Sequence, residues 1–250
     1  MSRSRRVLTE LARWLLGTAL VTWRYLWETT PLHRTECRGD ARDLPPRLPD
    51  GLIDDRVQRS VDGYGQLFHR RFRVRIAEAG VDAAGLMDRV VHDFKHFVPS
   101  EVVHIHTTRG GARSLCAGDE LVVEMPGPWD GPVRVVHRDD TSLHLVTLHG
   151  HLEAGQVWFR AFGDGDLLVF EVELWAAPAS RLVYLLYARL RLAKEIQLNM
   201  WVRFCLAAAA TSGGRLVDGV EIFTHRLDDL GERSGPAGLV TDGGAVDDRR

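Results

Sequence analysis

The sequence is poor in what most readily assigned chemistries require. Its three cysteines, Cys37, Cys116 and Cys205, are odd in number and far apart. They build neither a disulfide framework nor a CxxC metal knuckle, which fits a reducing compartment, and small buried hydrophobes are their expected role. No GxGxxG, Walker loop or GxSxG occurs, so nucleotide binding and serine hydrolysis lack their motifs. His92 and His96 lie four apart in HDFKH, but no glutamate follows His92, so the zincin pattern is missing. That pair and the pair His104 and His106 are expected on the solvent side.

Excess charge is also lacking. The formal net charge is -2 and the basic residues are not interleaved with aromatics, which argues against a nucleic-acid partner. Nor is there a long apolar run. The uncharged stretch from Trp14 to Trp23 is ten residues between Arg13 and Arg24, where a spanning helix needs about 20. No small-residue cleavage site follows in VTWRYLW, so the expected location is cytoplasmic.

What is present is 45% apolar content, enough for a sizeable core, organised in four segments. Residues 1–30 form an amphipathic helix with Trp14, Trp23 and Trp27. It has two docking options over residues 3–27. One is a membrane interface, with the arginines meeting anionic lipid; the other is this domain or a second subunit, as in a homodimer. Residues 31–62, containing DLPPRLPDG, form a proline-rich irregular linker. Residues 63–226 form the folded domain. Residues 227–250, acidic and glycine-rich, have too little apolar surface to order themselves.

Within the domain, QLFHRRFRVRI (66–76) alternates as a strand with Phe72, Val74 and Ile76 on one face. Asp82 caps a following helix with Leu86, Val90 and Phe94 on one side. Strands follow at 120–125, 133–137, 142–149, 157–162 and 167–175. The last two form a hairpin at GDGD (163–166). Its pairing puts Val157, Phe159, Ala161, Leu168, Phe170, Val172 and Leu174 on an apolar face, with Gln156, Trp158, Arg160, Glu171 and Glu173 opposite. Ser180 opens a long helix to about 210, striped with Leu182, Leu186, Leu190, Ala193, Ile196, Met200 and Phe204. VDGVEIFTH (217–225) adds a short strand. This order predicts an α+β fold of helix-grip type, a curved antiparallel sheet around a long C-terminal helix. A small, largely apolar ligand is expected in a cavity between the two.

Four segments carry a resemblance. MPGPWDGPVRV (125–135), TLHGHLEAGQVWFRA (147–161) and AKEIQLNMW (193–201) resemble the domain-of-unknown-function family numbered nineteen-ninety. TTPLHR (29–34) is similar to an upstream segment of its actinobacterial members. The resemblance spans about residues 20–215. That family is similar to the START and pollen-allergen superfamily, which implies a helix-grip fold whose members bind lipids, steroids or polyketides, with a few cyclases and hydrolases. It implies no reaction, so no catalytic residue is assigned.

Ligand-pocket candidates are Trp129, His149, His151, Glu153, Phe159, Phe170, Glu195 and Met200. Trp129 and Asp130 sit on a loop stiffened by Pro126, Pro128 and Pro132, either a lid or a core cap. His149, His151 and Glu153 alternate and would share a strand face. Gly150 and Gly155 bracket them, so a pocket rim or a turn held by side-chain-to-backbone bonds outranks a metal triad. Glu195 and Arg203 face the cavity, pair with Arg160, Glu171 or Glu173, or line the helix's solvent side. No metal and no cofactor is expected. Alternatives to ligand binding are a cyclase- or hydrolase-type enzyme using His149, His151, Glu153 or Glu195, and a non-catalytic interaction module.

Overall fold

The computed structural model describes residues 30–98, 104–109, 114–124, 130–184 and 191–227, with side chains for all of these except 104, 105, 109 and 191–196. The N-terminal helix expected over 3–27, Trp129 with its loop, the Glu195 side chain and the tail after Leu227 lie outside the described residues.

A single large sheet dominates. Its strands are β1 (Leu32–Arg38), β2 (Leu67–Ala77), β3 (His104–Arg109), β4 (Glu120–Glu124), β5 (Asp130–Arg138), β6 (Ser142–Thr147), β7 (Glu153–Asp164), β8 (Leu167–Pro178) and β9 (Arg215–Leu227). The longer helices among the described residues are α1 (Ala83–His92) and α2 (Arg191–Ser212). The spatial order is β1-β9-β2-β8-β7-β6-β5-β4-β3. All pairs are antiparallel except β1 with β9. The architecture is mostly-sheet α+β, as the sequence predicts.

The β7–β8 hairpin follows the expected register. Ala161 faces Phe170, Phe159 faces Val172 and Val157 faces Leu174, with Arg160 opposite Glu171 on the other side. The turn is tighter than GDGD as a whole, since Asp164 already pairs with Leu167 and Gly165 takes φ +59°. Phe72, Val74 and Ile76 are fully buried on the same inner face. α1 begins where Asp82 accepts the Gly85 N–H at 2.8 Å. Leu86, Met87, Val90 and Val91 of α1 join Phe204, Cys205, Ala208 and Ala209 of α2 in one core against that face.

Several expectations need correction. Ser180 does open a helical turn, accepting the Val183 N–H at 3.2 Å, but Leu182 of the expected apolar stripe is 62% exposed. The short strand expected over 217–225 runs over Arg215–Leu227 and pairs along the whole of β2. Cys37 and Cys116 are exposed, and only Cys205 is a buried hydrophobe. Its burial pushes the thiol far above the ordinary range.

The stretch 31–62 does more than link. Its first part is β1, in parallel register with β9 from Leu32 opposite Val220 to Arg38 opposite Arg226. The remainder is irregular, with 3-10 turns at Ala41–Asp43, Asp50–Leu52 and Ser60–Asp62, and it crosses the outer face of the sheet as a strap. Leu44 packs with Trp158 and Trp175. Leu48, Leu52 and Ile53 pack on Val136, Val146 and Leu148. Arg134 ties the strap down by donating to Leu52 O at 3.0 Å, Asp54 at 2.9 Å and Glu120 at 2.8 Å. The prolines deny helix, as read from the sequence, yet their open backbone is what lets the strap lie flat.

Candidate functional site

The inner face of the sheet is apolar except at one end. In β2 the alternation Phe68, Arg70, Phe72, Val74 places a guanidinium in an apolar row, and Arg70 is 7% exposed. Its Nη1 donates to Gln197 Oε1 of α2 at 2.6 Å, and its Cζ lies 4.9 Å from the Phe68 ring centroid. Gln197 Nε2 in turn donates to Glu153 Oε2 of β7 at 2.6 Å. Two strands of the sheet and the helix are thereby joined through one amide. Asn199, two residues further along the helix, is also buried. Trp201 packs against Phe159 and Phe204, at ring-centroid distances of 5.8 and 6.2 Å, and its buried Nε1 has no hydrogen-bond partner.

Beyond this end the interior is filled by rings. Phe204 lies 5.0 Å from Phe159, 5.4 Å from Phe94 and from Phe97, and 5.9 Å from Phe170. Phe159 and Phe170 are fully buried core residues, and Met200 packs at the edge of the same cluster. An open cleft of about 360 Å³ lies elsewhere, between α1 and α2, lined by Asp88, Arg89, His92, Asp93, His96, Phe97, Ala207 and Thr211.

His149, His151 and Glu153 do not converge. His149 is exposed, and its backbone N–H donates to Arg56 O at 2.8 Å. His151 Nδ1 lies 2.9 Å from the Glu153 N and 3.0 Å from the Glu153 carbonyl oxygen, closing the turn before β7. Burial lowers the His151 pKa to about 4, against the opposing Glu153 backbone contact, so the ring is neutral at pH 7. A Cβ on Gly131 would meet this ring at 3.1 Å, so the glycine of the WDGP segment makes room for the histidine of the LHGHLE segment. The carboxylate of Glu153 goes to Gln197 instead. This is the side-chain-to-backbone turn weighed in the sequence, with Gln58 Nε2 donating to the carbonyls of His151 at 3.1 Å and Glu153 at 2.9 Å.

The partners considered for Glu195 and Arg203 are taken. Arg160, Glu171 and Glu173 lie on the outer face, away from α2, where Arg160 Nη2 donates to both carboxylates and Arg73 Nε donates to Glu171 at 2.8 Å. His92 and His96 are exposed as expected. The sequence reading missed Arg70 and Trp201. The signal was there for Arg70, two residues before Phe72 and so on the apolar face of β2.

Comparison with known proteins is sparse by sequence. No family model matches the chain, and no curated protein matches it. Three solved structures to which the chain is similar are each 12% identical to it. A START superfamily protein from Mycobacterium smegmatis has a TM-score of 0.40 over 57% of this chain and 99% of its own. Norcoclaurine synthase from Thalictrum flavum gives 0.40 over 66% and 98%. The di-domain aromatase/cyclase StfQ of the steffimycin biosynthetic pathway gives 0.43 over 62% and 52%. At these scores the likeness assigns neither family nor activity. No helix among the described residues is long and apolar enough to cross a membrane.

Proposed function

We propose that this chain is a helix-grip protein that binds one small, largely apolar ligand where α2 meets the Arg70–Glu153 end of the sheet. The observation that carries the reading is the partnerless indole N–H of Trp201, buried in an apolar wall beside the Arg70–Gln197–Glu153 relay. A buried donor without an acceptor costs about 1–3 kcal/mol. A ligand with one carbonyl or hydroxyl oxygen would satisfy that donor, while its apolar body lay along Leu198, Met200 and Phe159. The cyclase or hydrolase alternative draws less support, because His151 and Glu153 spend their polar atoms on the turn and on Gln197.

The ring-filled interior around Phe204 favours a second reading, a non-catalytic interaction module. Native mass spectrometry of the full chain, followed by solvent extraction, separates the two. The ligand reading expects one apolar compound per chain, retained less well by Trp201→Phe. A bare polypeptide mass, together with no uptake of the dye 1-anilinonaphthalene-8-sulfonate by the stripped protein, overturns it in favour of the interaction module.

A further inference from the structure

Three residues that no motif connects meet on the outer face, at the other side of the sheet from the proposed pocket. We propose that Asp43, His69 and His225 form a binding site for a divalent transition-metal ion of the zinc class. Asp43 comes from the strap, His69 from β2 and His225 from β9, and their ligand atoms all lie within 4.8 Å of one another.

The two histidines are direct partners across the β2–β9 ladder, so their side chains rise from the same face. Their rings stand nearly perpendicular, 5.6 Å apart at 76°. Both direct Nδ1 at the same atom, Asp43 Oδ1; the His69 distance is 2.9 Å and that of His225 is shorter. Asp43 is aimed by its own 3-10 turn, because its Oδ2 accepts the Asp40 N–H at 2.8 Å. Trp175 secures both neighbours. Its indole N–H donates to the Asp43 carbonyl at 3.0 Å, and its ring stacks on His69 at 4.9 Å and 6°.

The decisive contact is on the far side of His69. Its Nε2 meets Glu173 Oε1 at 2.8 Å, and a carboxylate there only accepts, so Nε2 carries the proton. In the neutral ring Nδ1 is then a bare lone pair directed at another acceptor, Asp43 Oδ1. A proton on Nδ1 or a metal ion between them would each resolve this meeting of two acceptors. A second proton would serve one ring; a single metal ion serves both rings and the carboxylate together. Imidazole and carboxylate donors suit zinc-class ions, and a carboxylate behind a ligating histidine is the outer partner such ions ordinarily have. Side-chain exposures of 10% for His69, 13% for Asp43 and 25% for His225 leave one side of the site open, where water ligands would complete the coordination. This departs from the sequence reading, which names no metal.

The test uses the full chain, stripped with a chelator and titrated with Zn²⁺ against a chromophoric competitor. One ion per chain with a dissociation constant of about 1 μM or tighter is expected. His225→Ala and Asp43→Asn should each weaken binding at least about tenfold, and Glu173→Gln, which touches no ion, by about 10–100-fold. The double variant His92→Ala, His96→Ala should bind as the wild type. Circular dichroism checks that each variant folds; if Asp43→Asn does not, the quarter-exposed His225 position, as His225→Gln, carries the test. Wild-type binding weaker than about 100 μM, or affinity unchanged in His225→Ala, overturns the proposal and leaves the three residues as a protonated hydrogen-bonded staple.

Discussion

Arg160 and Glu171 are direct partners across the β7–β8 hairpin, and Arg160 Nη2 donates to Glu171 Oε1 at 2.5 Å on the outer face. Glu171 is 1% exposed, and its carboxylate faces this guanidinium, that of Arg73 and, at 3.8 Å, that of Arg71. Replacing Arg160 by methionine keeps the stem and removes the charge, leaving Glu171 and Glu173 partly uncompensated. The expected cost is about 3 kcal/mol, read as a lowered urea midpoint at pH 7. A double variant that also carries Glu173→Gln should recover part of it. Without such recovery, the loss belongs to packing against Trp158, over which Arg160 lies at 4.8 Å.

Gly155 is the most closely approached glycine among the described residues. A Cβ there would stand 1.9 Å from the Trp175 carbonyl oxygen, which is backbone and cannot rotate away. Gly155→Ala should therefore destabilise by about 3 kcal/mol or prevent folding. Gly163→Ala, where no atom lies within 4 Å, is the matched control and should fall within about 0.5 kcal/mol of wild type.

Phe204 of α2 meets Phe159 and Phe170 of the sheet and Phe94 and Phe97 of the 3-10 turn that follows α1. Phe204→Ala should cost about 3–5 kcal/mol by the lost transfer energy and the cavity left behind. Thermal unfolding followed by circular dichroism would check it. A change under about 1 kcal/mol would mean the interior refills, as a ligand-lined space can.

Acid should weaken the fold in a defined window. Burial is the main cause that lowers His144 from 6.5 to about 4, opposed by its Gln156 contact and assisted by His137 and Arg160. His151 is lowered to a similar value. Between these values and 6.5 the unfolded chain binds protons that the folded chain refuses. Stability is thus fully present above about pH 6.5 and lost as pH falls toward 4. His144, 5% exposed, accounts for about 3 kcal/mol of this. Denaturation midpoints at pH 7.5 and 4.5 should differ accordingly, and His144→Gln should shrink the difference. Asp139, held at about 2 by His137 and the Thr141 N–H against the raising effect of burial, adds its own loss only below pH 4.

Much of the inner layer was legible in the sequence because period-two alternation and the hairpin turn leave only one register that buries Phe159, Phe170 and Val172 together. The reading of His149, His151 and Glu153 as a turn was legible too, from the flanking glycines. The outer layer was not. Nothing in DLPPRLPDG says which surface it will cover, since two small clusters around Val146 and Trp175 decide that, and most of their buried residues lie far along the chain. The Asp43–His225 contact spans 182 positions, beyond any spacing rule. Such a pairing emerges only once strand order is known, because it depends on β9 returning to β2 rather than on either residue's neighbourhood.

That return has a consequence for how the protein is made. β2 leaves the ribosome early, and its free edge has to wait for β9, which follows every other described element. Until then β2 offers a row of unsatisfied amides, softened by its arginines, to any neighbouring chain. Closure of the sheet is therefore a late, long-range event, and a nascent chain halted within α2 would be the species most prone to pair with the wrong partner.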